Sequence, residues 1–165
     1  MSSADIKVHL AASPLFQDLA SQPALDDLAA ICELIGFRSG ETVVGEGSEG
    51  DTMYVIKSGR VRVEKKTPYQ DTYTVTFLKA GDFFGEVALL NRDRRSATCI
   101  AESESEFLVL SRERFLAFGD KHPTAGLAIT RKIASDLAYR LLQANEDLIT
   151  LFQALVEEVE GAVLK

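Results

Sequence analysis

The sequence is poor in the residues that build most catalytic and metal centres. It has two histidines, His9 and His122, far apart in the chain, and two cysteines, Cys32 and Cys99, on apolar stretches without a C-x-x-C spacing. The metal cluster of a barrel enzyme needs several histidines together, so that class is set aside and no metal is expected. The cysteines read as reduced core thiols of a cytosolic protein. There is no G-x-S-x-G, no cysteine with a histidine at a recognisable spacing, and no pair of carboxylates beside a general acid. No catalytic apparatus is identifiable, and the chain is not expected to be an enzyme. Long apolar runs are missing too: none approaches the ~18 residues of a membrane span, and the N-terminus MSSADIKVHL is too polar for a signal peptide. Positive charge is in deficit. A net charge of -7 and a pI near 4.9 disfavour broad contact with phosphate backbones, so any bound phosphate must be held by a local cation. The expectation is a cytoplasmic protein without membrane contact.

What is present suits one compact unit with an extension. The chain has 165 residues, 46% hydrophobic and 26% charged, which excludes disorder throughout. Residues 1–12 read as an arm. Ser13 and Pro14 read as a helix start with Leu15, Phe16 and Leu19 as its apolar face, and Pro23 starts a second helix whose Leu25, Leu28, Ala29, Cys32 and Ile35 recur at helical spacing until Gly36. From Phe37 the period becomes strand-like, with runs at 42–44, 53–56, 61–65, 72–78, 98–100 and 107–110. Gly40, Gly45, Gly47, Gly50, Gly59, Pro68 and Gly81 mark most of the gaps. The fold class is therefore mainly β with flanking helices: an antiparallel β-barrel followed by a long C-terminal helix. Ser111 caps a short helix through Phe118, and His122 with Pro123 opens the long one. Along it Ala134, Leu137, Leu141, Ala144, Leu148, Leu151 and Leu155 alternate spacings of three and four, a heptad seam. A second stripe, Leu142, Ile149, Phe152, Val156, Val159 and Val163, widens the apolar face. The domains expected are the arm at 1–12, the barrel with its N-terminal helices at 13–122, and a dimerisation or lid element at 123–165. A homodimer through residues 130–155 is expected, with packing on the barrel as the alternative.

Two motifs point away from their usual chemistry. Gly45, Gly47 and Gly50 spell G-x-G-x-x-G, but the next residues read as a strand, and Glu46 and Glu49 would repel a pyrophosphate, so tight turns are the better account. Arg92, Arg94 and Arg95 form a single basic cluster in an acidic chain, without interleaved aromatics, and read as a loop with one arginine turned inward rather than as a nucleic-acid surface.

The stretch FGEVALLNRDRRSAT, residues 84–98, carries the candidate site. A helical turn starting near Glu86 would aim backbone N–H groups at an anion, and small residues at 85 and 88 permit close approach. Arg95 offers a planar fork matching two phosphate oxygens. Glu86 accepts hydrogen bonds only, so it suits a sugar hydroxyl and repels the phosphate. An internal Glu86–Arg95 salt bridge is the structural alternative.

This stretch resembles the phosphate-binding cassette of cyclic nucleotide-binding domains, and GSEGDTMYVIKSGRVRV with the LKAGDFFGE run resembles the same family's glycine turns. The resemblance covers about residues 13–150. It implies a jelly-roll barrel and cyclic AMP, or cyclic GMP, as the ligand. It further implies that Glu86 receives the ribose 2'-hydroxyl and Arg95 clamps the cyclic phosphate. Gly85, Val87 and Ala88 would supply backbone contacts, Ser96 a hydroxyl to phosphate or base, and Val63 and Leu78 the apolar wall of the base pocket. Asn145 stands where the family presents hydroxyl residues to the base. Only 42 residues follow Pro123, too few for the helix-turn-helix domain of bacterial activators, so direct DNA binding is not expected. The output would pass to an unknown effector protein. The alternative from the interaction class is a non-catalytic barrel and coiled-coil assembly module whose cassette is structural and binds no nucleotide.

Overall fold

Eight short strands form two four-stranded antiparallel sheets. The computed structural model describes residues 3–19, 22–67, 71–91 and 94–163, with side chains to residue 159. Pro68 among the turn markers, Arg92 of the basic cluster and the Val163 side chain of the second stripe lie outside the described residues. The strands are β1 Glu33–Phe37, β2 Thr42–Val44, β3 Thr52–Ser58, β4 Arg60–Lys66, β5 Thr72–Lys79, β6 Phe83–Phe84, β7 Thr98–Ala101 and β8 Ser105–Ser111. One sheet has the order β1-β8-β3-β6 and the other β2-β7-β4-β5, a jelly-roll arrangement that is not closed into a barrel. Both sheets feed one core cluster: Ile56, Phe84, Phe107 and Val109 from the first, Val44, Val61 and Cys99 from the second. The inner faces therefore pack against each other, as alternation along the strands predicts.

Aromatic rings set the spacing of the first sheet. Tyr54 on β3 stacks on Phe84 of β6 with centroids 5.0 Å apart, and Phe107 of β8 meets both edge-on at 6.0 and 5.7 Å. Offset stacks and T-shaped contacts match the ring quadrupoles, so this trio fixes where β6, and the cassette that follows it, leaves the sheet.

The N-terminal region differs from the sequence expectation. Residues 3–12, expected as an arm, form helix α1 (Ser3–Ala12) with Ile6 and Leu10 buried. Ser13 and Pro14 do not start a helix: Leu15 and Phe16 lie in a turn, and Gln17–Leu19 is one turn of 3-10 helix. The apolar side chains are still buried. Helix α2 (Ala24–Ile31) stops four residues before the expected end, because Cys32 turns extended and Glu33–Phe37 pairs with β8 from Glu33↔Val109 to Phe37↔Ser105. Leu34 and Ile35 fit either period, and the ladder with β8 decides between them.

Helix α3 (Val87–Leu90) lies within the cassette. Helix α4 (Arg112–Lys121) begins as expected, with the Ser111 hydroxyl accepting from the Arg114 N–H at 3.3 Å. Helix α5 (Pro123–Val163) follows. Met1–Thr130 and Arg131–Lys165 are two compact units. Within the second, the seam residues Leu141, Leu148, Leu151 and Leu155 are 58 to 68% exposed, and Leu142, Ile149, Phe152 and Val159 of the second stripe are exposed as well. No helix among the described residues is long and apolar enough to cross a membrane.

A polar clasp joins α2 to the end of α4. The Asp27 carboxylate accepts from Lys121 Nζ at 2.7 Å and from His122 Nε2 at 2.6 Å. These two bonds, Lys121 first, hold its pKa below the ordinary 3.8. A carboxyl depressed in the folded state contributes stability that is complete above its unfolded value and is lost as pH falls through the folded value. Asp27→Asn is therefore expected to flatten the acid limb of the melting-temperature profile below about pH 4 and leave its shape above about pH 5 unchanged. An unaltered acid limb would remove the clasp from the stability of this region.

Candidate functional site

The cassette is held by two turns that face each other. The Arg95 N–H donates to the Ser48 carbonyl at 2.9 Å, and the Arg95 carbonyl accepts from the Gly47 N–H at 2.8 Å. The segment before β7 is thereby laced to the glycine turn between β2 and β3. That turn runs into a strand, which is why the G-x-G-x-x-G spacing carries no dinucleotide chemistry here. Arg94 is bonded to the same turn, Nη1 donating to the Gly47 carbonyl at 2.9 Å.

The Arg95 guanidinium is preset. Nη1 donates to the Thr52 carbonyl at 2.7 Å and Nη2 to the Thr52 hydroxyl at 3.0 Å. Its central carbon lies 5.9 Å from the Tyr54 ring centroid, within cation–π range. Two glycines leave the space it occupies. A Cβ on Gly85 would stand 2.7 Å from Nη1 and 2.9 Å from the Thr52 oxygen, and one on Gly50 would strike the guanidinium itself. Gly85 also has φ +75, a conformation that a side chain would strain. Thr52 thus engages both terminal nitrogens of the fork.

Glu86 is 3% exposed and stands at the N-cap of α3, where its side chain does not cap the helix. The Ala88 N–H is engaged inside the turn, donating to the Gly85 carbonyl at 3.1 Å. Glu86 directly follows Gly85, which lies against the Arg95 guanidinium. Burial pushes the Cys99 thiol up to about 12, while Arg95 draws it down and Glu86 raises it. Cys99 belongs to the core cluster that includes Phe84, and it pairs in register with Val63. Val63 and Leu78 are half-buried and pack against that same cluster. Gly85 thus lies against the Arg95 guanidinium, Val63 and Leu78 pack on the core cluster, and in α3 Ala88 is buried whereas Val87 is exposed. Ser96 is exposed beside Arg95, and Asn145 is exposed on the second unit.

Thr52, Gly50, Tyr54 and Cys99 were not legible as site residues in the sequence. For the first three the signal lay in GSEGDTMY, where two positions of one strand face, Thr52 and Tyr54, follow a glycine. For Cys99 it lay in the alternation through β7.

Jelly-roll sheets around an apolar wall, with a buried carboxylate and a preset guanidinium at one end, define a small-ligand binding domain. The chain belongs to the cyclic nucleotide-binding domain family, whose model matches residues 34–122. Over 155 residues it is 32% identical to the cyclic AMP receptor protein of Thermus thermophilus, covering 93% of this chain and 69% of that protein. Over 115 residues it is 36% identical to a cGMP-dependent protein kinase of Drosophila melanogaster, isozyme 2 forms cD5/T2, covering 68% of this chain but only 12% of the kinase. Its fold matches the crystal structure of the Thermus thermophilus catabolite activator protein with a TM-score of 0.76 at 31% identity, over 84% of this chain and 63% of that one. The chain is a cyclic nucleotide-binding regulatory domain.

Proposed function

We propose that the domain is a cytoplasmic, non-catalytic sensor that binds cyclic AMP in preference to cyclic GMP and passes its occupancy to α5. The observation that carries the reading is the preset Arg95 fork beside the buried Glu86. Arg95 takes the cyclic phosphate, Glu86 the ribose 2'-hydroxyl, Gly85, Val87 and Ala88 line the phosphate side, and Val63 and Leu78 exclude water from the base. Ser96 donates to phosphate or base, and Asn145 reads the base edge. The receptor from Thermus is named for cyclic AMP and the kinase from Drosophila for cyclic GMP, so family membership leaves the purine open. Binding shifts α5 only by the difference in affinity between two states of the domain. The signal passes through a homodimer contact over residues 130–155 or to an effector protein, without direct DNA contact.

The second reading is an assembly module whose cassette is structural, favoured by the exposed apolar face of α5. Calorimetric titration with both nucleotides separates the two: absence of heat and of thermal shift at millimolar ligand rejects the sensor. Glu86→Ala is the sharper test. A carboxylate–hydroxyl bond is worth about 1.5–3 kcal/mol, so the variant is expected to bind cyclic AMP about 10- to 100-fold more weakly and its 2'-deoxy analogue nearly as well as wild type does. Equal losses for both ligands would remove Glu86 from the ribose.

A further inference from the structure

The apolar wall of the site continues into a charged lip. Along β4, Val61 is fully buried and Val63 packs on the core cluster, whereas Arg62 and Glu64 point outward and bond each other at 2.6 Å. The register with β5 shifts between Val63 and Glu64, where Val63 faces Thr76 and Glu64 faces Thr74. The extra residue is thus on β5, and the alternation along β4 is unbroken. Lys65 therefore follows Val61 and Val63 on the inner face, two residues or roughly 7 Å beyond Val63. Lys65 is half-buried, and Lys66 at the end of the strand is exposed. Tyr73 lies directly opposite Lys65 in the ladder and is 52% exposed.

The place of Lys65 matters because Val63 pairs with Cys99, the residue on which the Glu86 and Arg95 charges act. The β4–β7 ladder ends at the pair Glu64↔Thr98, and Ala97, Ser96 and Arg95 lead into β7 from there. The ammonium of Lys65 takes part in no ion pair among the described residues. An ammonium and an aromatic ring at the lip of an apolar wall form a receptor for a flat heteroaromatic ring that carries hydrogen-bond acceptors on its edge.

We propose that Lys65 is a purine-selecting residue of this site, donating from its ammonium to the acceptor edge of the base while Tyr73 flanks the ring. The inference rests on the functional reading above and deepens it. An ammonium has three donors and no acceptor. Against the Hoogsteen edge it matches the two acceptors of guanine, O6 and N7, whereas adenine presents one acceptor and an amino group that repels it. Lys65 thus narrows the preference for cyclic AMP by supporting cyclic GMP.

The test is calorimetric titration of wild type, Lys65→Met and Lys65→Arg with both nucleotides. Lys65→Met is expected to weaken cyclic GMP about tenfold and to change cyclic AMP by less than about threefold, and Lys65→Arg, which keeps a donor, to retain cyclic GMP within about threefold. Equal losses for the two ligands would place Lys65 on the phosphate and overturn its role in purine choice, and so would unchanged affinities in Lys65→Met. A wild type that binds neither nucleotide overturns the functional reading itself. Binding by wild type with an indifferent Lys65→Met overturns this inference alone.

Discussion

Arg95→Lys is expected to weaken cyclic nucleotide binding about 100-fold while leaving the ligand-free melting temperature nearly unchanged. The guanidinium has five N–H donors, and Thr52 takes two of them, one through its carbonyl and one through its hydroxyl. Three remain for a phosphate, held in the plane that Thr52 and the Tyr54 ring define. Lysine brings one nitrogen with three donors. It can satisfy the Thr52 acceptors or the phosphate oxygens, but its stem cannot span both at once. Losing about two charge-assisted bonds of roughly 1.5 kcal/mol each gives about 3 kcal/mol, which is the 100-fold figure. Thr52→Val, which removes the hydroxyl and keeps the carbonyl, should cost less than tenfold by loosening the fork at Nη2 alone. Isothermal titration with cyclic AMP measures both. An Arg95→Lys variant with wild-type affinity would mean that the phosphate is held elsewhere, and Ser96 or the α3 backbone would inherit the role.

The site was legible where chemistry is local and illegible where it depends on pairing. Glu86 and Arg95 stand out because a buried-type carboxylate and a guanidinium flank an apolar turn, and their neighbours Gly85 and Ala88 are small. Nothing local says that Thr52 presets the fork, since the contact joins residues 43 positions apart in the chain. The same division explains the fold. Six of the eight strands follow from β-branched runs with glycine between them. In the sequence β1 reads as the tail of a helix, because Leu34 and Ile35 serve either period and only the ladder with β8 chooses. β6 is two residues long, too short to show a period, and exists through its pairing with Tyr54 and Val55. The turn of helix at Glu86 and the cap at Ser111 depend on immediate neighbours, and both are legible in the sequence.

Leu141→Asp is expected to convert a dimer into a monomer, raising the dissociation constant at least 100-fold. The heptad positions Leu141, Leu148, Leu151 and Leu155 form one row along the second unit, and Leu142, Ile149, Phe152 and Val159 a row beside it; all are more than half exposed. A helix with that much unburied apolar surface is rare on a monomer, and a/d spacing with flanking apolar positions is the geometry of a helical pair or bundle. In a two-fold pair each substitution acts twice. Removing two leucines from the seam costs about 1.5–3 kcal/mol apiece, so the transfer loss alone is about 3–6 kcal/mol, before any cost of leaving two carboxylates unpaired in an apolar contact. Leu141→Ala should fall short of that, because it removes area without introducing charge. Sedimentation equilibrium of the full chain, with and without cyclic AMP, reads both the state and its coupling to ligand. A wild type that sediments as a monomer at every concentration would reject the seam. A dimer whose strength is the same with and without cyclic AMP would keep the seam but remove it from the signal, because a ligand shifts only an equilibrium whose two states it binds unequally.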